Sequence, residues 1–269
     1  MPCTNVIPNN TEIFTDSSGR ARYARTFLLS GTLNGTIIAF FGGTLTSTSP
    51  ITVRTKGWSE TSSSIKLNAD ECKFIQEIRD LKWRVVLLDQ TQTVRATGSV
   101  ADEYWIEEYI NHWNGRWPGK VFAIGHSAGS YVTGLHIRHF REGKASSVYA
   151  NGVFSFPIAL GSATNKTNFI ASDFTNRSTL FLSGTPSGEV SDAYNRTKSL
   201  KDIACGSTSR QGWEAIDATH EIFKKVCGTK RAVTNICHDW FNKYPNLPKP
   251  PLSSCPASIP GTTNPDGCN

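Results

Sequence analysis

Short apolar runs alternate with amphipathic stretches along most of this chain. Four runs are rich in apolar or β-branched residues and are as short as buried strands: 22–29, 36–41, 84–88 and 120–124. Between them, residues 68–82 and 104–113 place apolar side chains every three or four positions, as amphipathic helices do. Strands that alternate with helices predict an α/β fold, with a mostly parallel central sheet and helices on both of its faces.

The second half of the chain continues this alternation. The predicted elements are strands at 152–160 and 179–183, helices at about 128–140 and 211–226, and a last strand at 231–236. No internal repeat is visible. We therefore expect one domain up to residue 244.

The composition fits a single domain followed by a tail. The chain has 269 residues, of which 38% are apolar and 10% aromatic, enough to bury one sizeable core in residues 1–244. Residues 245–269 are rich in Pro, Gly and Ser and cannot build a core of their own. No run approaches the roughly 18 apolar residues that a membrane-spanning helix needs, so no membrane span is expected.

The basic residues are too scattered for a nucleic-acid-binding protein. There are 28 Lys and Arg against 22 Asp and Glu, a net charge of +6. Nucleic-acid binders concentrate their basic charge on one face, whereas only short clusters such as Lys224–Lys225 occur here. We therefore expect no nucleic-acid partner.

Cysteines and glycosylation sequons favour an extracellular location. Seven cysteines occur, five of them after Leu200 and none spaced as C-x-x-C. Disulfides commonly hold segments that lack a core, so at least one is expected to hold residues 245–269. Five N-x-[S/T] sequons point to a secreted glycoprotein: Asn9, Asn34, Asn165, Asn176 and Asn195. The first residues do not have the sequence pattern of a signal peptide. For a secreted protein, we therefore expect that the signal peptide has been removed.

The motif Gly125-His126-Ser127-Ala128-Gly129 lies between a predicted strand and a predicted helix. In that context G-x-S-x-G forms a nucleophile elbow, a tight turn that exposes the serine hydroxyl above the sheet of an α/β-hydrolase. Ser127 is therefore the predicted nucleophile, and the backbone N–H of Ala128 is the predicted first donor to an oxyanion. His126, the variable residue of the motif, is predicted to shape the substrate pocket.

His238 is the predicted general base. The order along α/β-hydrolase chains is serine, acid, histidine, and His238 follows the last predicted strand, in a predicted loop. The remaining histidines fall on predicted helices and are interpreted as ordinary surface or packed residues: His112, His136, His139 and His220. His136 and His139 share a helix face, but no third ligand accompanies them, so no metal site is expected.

The loop after strand 36–41 supplies the second predicted oxyanion donor. Its glycines let the backbone approach a substrate closely, and the N–H of Gly43 is assigned this role, with Thr44 as the alternative. A plain tight turn is the competing interpretation.

Two carboxylates compete for the role of the triad acid. Glu189 and Asp192 both follow strand 179–183, and Glu189 is preferred because it lies nearer the strand end. Asp173 is a more distant third candidate. The acid would orient the imidazole and stabilise its protonated form.

Three motifs together resemble secreted polyhydroxybutyrate depolymerases and feruloyl esterase-like esterases of the α/β-hydrolase superfamily. They are residues 18–29 leading into Phe41-Gly42-Gly43, the helix-and-elbow unit 102–127, and His238-Asp239-Trp240, which is similar to the His-x-Trp of that group. Two residues depart from the pattern. Phe41 replaces a histidine, and Ser187 stands where the group has an aspartate.

The resemblance implies a secreted serine hydrolase that cleaves carboxylic esters through an acyl-enzyme, without metal or cofactor. The implied substrate is a polyester or a plant cell-wall ester of feruloyl or acetyl type. From their positions in the sequence, His126 and Trp240 are candidate residues beside the substrate, and packing in the core or at the surface is the competing interpretation of Trp240. A monomer is favoured. The alternatives are a non-catalytic binding protein with a degenerate triad and an acyltransferase that uses the same residues.

Overall fold

A computed structural model of the chain describes the residues 8–15, 19, 21–40, 45–46, 52–53, 58–59, 62–65, 67, 69–88, 94–95, 120–126, 151–155, 169–175, 178–184, 187, 193–215, 233–243 and 257–258. In chain order, the strands among them are β1 (Asn10–Thr15), β2 (Ala21–Phe27), β3 (Gly35–Phe40), β4 (Leu45–Thr46), β5 (Thr52–Val53), β6 (Trp58–Ser59), β7 (Ser62–Ile65), β8 (Trp83–Leu88), β9 (Val94–Arg95), β10 (Val121–His126), β11 (Asn151–Ser155), β12 (Thr179–Ser183), β13 (Gln211–Ala215) and β14 (Ala257–Ser258). The α-helices are α1 (Ala69–Asp80), α2 (Ala193–Cys205) and α3 (Val233–Lys243), and a short 3₁₀ helix spans Ala171–Phe174.

Nine of these strands form one mixed sheet, in the order β1-β2-β8-β3-β10-β11-β12-β13-β14. All neighbours from β8 to β14 pair in parallel, whereas β1 with β2 and β2 with β8 are antiparallel. The predicted mostly parallel sheet is confirmed. Parallel neighbours need crossover connections, and α1 and α2 lie in two of them.

The helices cover both faces of the sheet, as predicted. Leu180 and Leu182 join the core beneath α1 and α3, whereas Phe181 points to the opposite face, where its ring lies 5.9 Å from that of Phe174. Trp213 is the partner of Phe181 on the neighbouring strand. The ring of Tyr194 in α2 packs against the ring of Trp213, with centroids 5.7 Å apart. Helix α2 therefore covers the second face.

Helix α3 replaces the strand predicted at 231–236. Val233, Ile236, Cys237, Trp240 and Phe241 are all buried, and their spacing of i, i+3, i+4, i+7 and i+8 is that of a helix with one apolar face. The β-branched residues of this segment favour a strand only weakly, and burial of that face decides the conformation. The predicted loop at His238 is wrong for the same reason.

Strand β13 replaces the first part of the helix predicted at 211–226. Gly212 fits here because Trp240 of α3 packs directly on it: a Cβ at Gly212 would lie 2.5 Å from Cζ3 of Trp240. Gln211 is fully buried, and its side-chain oxygen accepts a hydrogen bond from the N–H of Thr179 at 3.2 Å. Residues 216–226 lie outside the described residues.

Most other predicted elements agree with the structure within a few residues. Strands β2, β3, β8, β10, β11 and β12 and helix α1 occupy segments that the hydrophobic pattern predicts. Strand β1, the short strands β4 to β7, β9 and β14, and helix α2 are not among the predicted elements. The predicted helices at 104–113 and 128–140 lie outside the described residues.

Part of the tail belongs to the central sheet. Ala257 and Ser258 form β14, which pairs in parallel with Gly212 and Trp213. Residues 245–269 therefore contribute the ninth strand of the domain's own sheet. Among the described cysteines, Cys237 is buried and is not part of a disulfide.

Candidate functional site

Five neighbouring parallel strands end along one edge of the sheet. Strand β3 ends at Phe40, β10 at His126, β11 at Ser155, β12 at Ser183 and β13 at Ala215. Ligands of open α/β sheets bind outside the carboxyl ends of the strands. This edge, here called the carboxyl edge, is the candidate functional site.

Most of the predicted catalytic residues lie outside the described residues, namely Ser127, Ala128, Gly43, Thr44, Glu189 and Asp192. The described strand ends nevertheless fix where the chain leaves the sheet. Strands β3 and β10 are neighbours, with Phe40 opposite Gly125. The segments that carry Gly43 and Ser127 thus depart from adjacent strand ends.

His126 is the last residue of β10 and is 3% exposed. It lies on the same face of β10 as Ile124 and Phe122, which belong to the core covered by α1 and α3. Ser127 follows it directly, so their Cα atoms are about 3.8 Å apart. The burial of His126 leaves little side-chain surface for a substrate to touch.

His238 lies at the opposite edge of the sheet. The indole Nε1–H of Trp83 donates to its Nδ1 at 3.0 Å, and Trp83 is the first residue of β8, paired with Gly35. The pair of Trp83 and Gly35 lies one residue before Val121, the first residue of β10. His126, the last residue of β10, lies five residues beyond Val121. Six residues of strand correspond to about 20 Å. His238 is therefore far from the end of β10.

The hydrogen bonds of His238 also fix its tautomer. An indole N–H can only donate, so Nδ1 accepts from Trp83 and the neutral ring carries its proton on Nε2. The side-chain amide of Asn242 lies 3.2 Å from Nδ1 and 3.3 Å from Nε2. A triad histidine requires the reverse, a proton on Nδ1 and a vacant Nε2 that accepts from serine.

Trp240 is fully buried rather than available to a substrate. Its ring packs on Gly212 in β13, which lies beneath α3. The interpretation of Trp240 as a substrate-flanking residue is corrected, because a side chain with no exposed surface cannot line a pocket. Together with His238, it belongs to the packing of α3 against the sheet.

Asp173 is used locally. It lies in the 3₁₀ helix before β12, and its Oδ2 accepts a hydrogen bond from the N–H of Ile170 at 2.9 Å. Because it precedes the start of β12, it is at the opposite end of that strand from the carboxyl edge. Ser187, described in the turn after β12, is exposed.

His220 falls on a helix predicted from the sequence and is interpreted there as an ordinary residue, but the observed elements change its context. It follows Ala215, the end of β13, by five residues in the sequence, and it lies between β13 and α3 outside the described residues. The signal that would have found it is the helical spacing of residues 233–241. Once that segment is a helix, β13 becomes the last strand before it, and His220 fits the order serine, acid, histidine.

The described residues contain no cluster of three or more His, Cys, Asp or Glu side chains that could hold a metal ion. Among the same residues, no helix combines the length and the apolarity needed to cross a bilayer.

No protein-family model and no curated protein matches the sequence. Solved structures do match in shape. One of them, of fungal esterases from Rhizomucor miehei, has a TM-score of 0.62 at 11% identity and covers 90% of this chain and 85% of that chain. Another is a soluble variant of monoglyceride lipase from Saccharomyces cerevisiae in complex with a substrate analog. It has a TM-score of 0.57 at 10% identity and covers 92% of this chain and 98% of that chain. With its strand order and its helices on both faces, the chain has the α/β-hydrolase fold.

Proposed function

We propose that this chain is a serine hydrolase of carboxylic esters, with Ser127 as its nucleophile. One observation carries the proposal: the motif G-x-S-x-G begins inside β10 and its serine is the first residue after that central parallel strand. A nucleophile elbow requires this position. The shape similarity to esterases and to a monoglyceride lipase agrees with it.

We assign the role of general base to His220 instead of His238. The segment after β13 leaves the sheet at the carboxyl edge, where Ser127 follows β10, whereas His238 is bonded to Trp83 about 20 Å away along the strands. His220 would take the proton of Ser127 Oγ as the oxygen attacks the acyl carbon. It would then give the proton to the leaving alcohol, and water would repeat the cycle on the acyl-enzyme.

Glu189 is proposed as the acid that orients His220. It follows β12 by six residues, on the segment that leaves the carboxyl edge between β12 and α2. Asp192 directly precedes Ala193, the first residue of α2. An aspartate in that position is a preferred helix cap, whose carboxylate accepts hydrogen bonds from the first N–H groups of the helix. Such a cap would compete with a role in the triad, which favours Glu189 as the acid.

The backbone N–H groups of Gly43 and Ala128 are proposed as the oxyanion hole, with Thr44 as the alternative to Gly43. Strands β3 and β10 are hydrogen-bonded neighbours, so the two segments that carry these donors start side by side. Donors held in advance near the developing oxyanion stabilise the transition state more than the ester.

The substrate class is proposed no more finely than carboxylic esters. The His-x-Trp segment that suggested polyhydroxybutyrate or feruloyl esters lies inside α3, with Trp240 buried. Polyester and cell-wall esters are therefore substrates to compare and not the assigned ones. Secretion with disulfide bonds is part of the proposal, supported by the five sequons and by the bonded state of Cys72 and Cys205.

Hydrolysis of p-nitrophenyl esters of increasing acyl length, with Ser127→Ala as the matched control, tests the proposal. We expect turnover by the parent protein and loss of about 10⁴-fold or more in the variant, together with labelling of Ser127 by a fluorophosphonate. A folded parent that neither turns over any ester nor reacts with the probe would instead indicate a non-catalytic binding protein. Ester rather than acid products in the presence of an added alcohol would indicate an acyltransferase.

A further inference from the structure

In the part of the chain that the structure describes, the outer edge of the central sheet is open along β1. Strand β1 is the outermost strand, and no other strand borders it in the described part of the chain. Its register with β2 runs without a bulge from Asn10 to Thr15, and its sequence contains neither Lys nor Pro. Ile13 is 62% exposed on it. Its one charged residue is Glu12, and edges with so little protection pair readily with strands of other molecules.

A glycosylation sequon, Asn9-Asn10-Thr11, stands at the beginning of this edge. The backbone N–H of Asn9 donates to the carbonyl of Thr26 at 2.8 Å, and its side-chain Oδ1 accepts from the N–H of Leu28 at 2.8 Å. These two bonds turn the amide oxygen of Asn9 toward β2. No hydrogen bond in the described part of the chain uses its Nδ2.

Both side chains that define this sequon are accessible in the folded domain, because Asn9 and Thr11 are exposed. The two other described sequons differ. Asn34 and Asn195 are exposed, but Thr36 and Thr197, the hydroxyl residues of their sequons, are completely buried. In addition, Nδ2 of Asn34 donates to the carbonyl of Leu81 at 2.9 Å. Asn165 and Asn176 lie outside the described residues.

We propose that Asn9 carries an N-linked glycan that protects the β1 edge from pairing with a second copy of this chain. The inference rests on the secretion included in the proposed function. In the modification, Nδ2 of Asn9 forms a bond to the anomeric carbon of a lipid-diphosphate-linked oligosaccharide. The bond from that carbon to the diphosphate oxygen breaks, the lipid diphosphate leaves, and Nδ2 loses one proton to a base.

The position of Asn9 gives the glycan this effect. A glycan is bulky and hydrated, and Asn9 directly precedes Asn10, the first residue of the strand along which another strand would have to pair. The outer edge formed by β1 is also separate from the carboxyl edge, where the catalytic residues are proposed to lie. Four strand spacings lie between β1 and β10, roughly 19 Å, so loss of the glycan should leave ester turnover by the monomer unchanged.

The test uses the full chain, directed into the secretory pathway of a eukaryotic cell. Thr11→Ala removes the sequon but keeps the hydrogen bond between the N–H of Leu28 and Asn9. Thr11→Ser keeps the sequon and this hydrogen bond, and is the matched control. Peptide mapping before and after glycosidase treatment measures occupancy at Asn9. Size-exclusion chromatography over a range of concentrations measures association.

We expect glycan at Asn9 in the parent and in Thr11→Ser, and none in Thr11→Ala. The unglycosylated variant and the glycosidase-treated parent should associate at about tenfold lower concentration than the glycosylated parent, a change equivalent to about 1.4 kcal/mol. Ile13→Lys should restore the monomer, since a charge on the edge opposes pairing. An unoccupied Asn9, or an unglycosylated chain that stays monomeric, overturns the proposal, and ester turnover measured in parallel reports on the proposed function separately.

Discussion

The indole N–H of Trp83 and the Nδ1 atom of His238 form a hydrogen bond of 3.0 Å between the first residue of β8 and the middle of α3. Their rings meet edge to face, with centroids 6.5 Å apart. Trp83 is completely buried, and a buried donor that loses its acceptor is costly to leave unpaired. His238 therefore acts as a structural acceptor that helps to fix α3 on the sheet.

Replacement of the two histidines should separate catalysis from stability. We expect His220→Ala to lower kcat by roughly 10³-fold or more with little change in the free energy of unfolding. We expect His238→Ala to lower the free energy of unfolding by about 1–3 kcal/mol, because the indole N–H of Trp83 loses its acceptor, while kcat is kept. Ester kinetics and urea denaturation of both variants measure the two effects. Loss of turnover in a folded His238→Ala protein, with turnover kept in His220→Ala, would reverse the assignment.

Three substitutions after β12 should distinguish the triad acid from the helix cap. Glu189→Gln should reduce kcat by about 10³–10⁴-fold, because a neutral amide no longer orients and stabilises the protonated histidine. Asp192→Ala should keep kcat but lower the free energy of unfolding by about 1 kcal/mol, since the start of α2 loses its cap.

Asp192→Asn is the control in this series. Asparagine caps helices about as well as aspartate, so this variant should resemble the parent protein in both kcat and stability. If Asp192→Asn instead loses orders of magnitude in kcat while Glu189→Gln does not, then Asp192 is the acid.

Lys82 should be replaceable by glycine with a gain in stability. It follows α1 with a positive φ of 64°, and its N–H donates to the carbonyl of Arg79 at 2.8 Å. A side chain with a Cβ is strained in this left-handed conformation, which glycine adopts freely. We expect Lys82→Gly to raise the free energy of unfolding by about 0.5–1 kcal/mol. Lys82→Ala, which keeps the Cβ, should show no such gain in the same urea titration.

The hydrophobic pattern predicted those strands and helices whose buried residues follow one regular spacing along the chain. Strands β3, β8 and β12 are continuous apolar runs, and helix α1 has one regular apolar face. The errors lie where a residue's role depends on a distant partner. Gly212 and Gln211 fit a strand because of Trp240 and Thr179, 28 and 32 positions away.

The sequence-based preference for His238 over His220 as general base rests on those same two element predictions. Interpreting 211–226 as a helix removed His220 from consideration, and interpreting 231–236 as a strand moved His238 into a loop. The apolar spacing from Val233 to Phe241 contained the correction. Val233 and Thr234 are β-branched, but their intrinsic preference for a strand is weaker than the burial of a helix face.

The contact between Gly212 and Trp240 provides the sharpest test of how α3 is seated on the sheet. A Cβ at Gly212 would lie 2.5 Å from Cζ3 and 2.8 Å from Cη2 of Trp240, and 3.1 Å from Cδ1 of Leu180. Because the ring is fully buried it cannot swing aside, so Gly212→Ala should cost about 1–3 kcal/mol by overpacking.

Trp240→Phe removes the clashing part of the indole and by itself leaves a cavity, which should also destabilise the domain. In the double variant the new methyl group partly fills that space. Its loss of stability should therefore be smaller than the sum of the two single losses, with a coupling of about 1 kcal/mol or more. Urea denaturation of the four proteins gives this coupling. Additive losses would mean that the ring of Trp240 does not rest on Gly212 of β13.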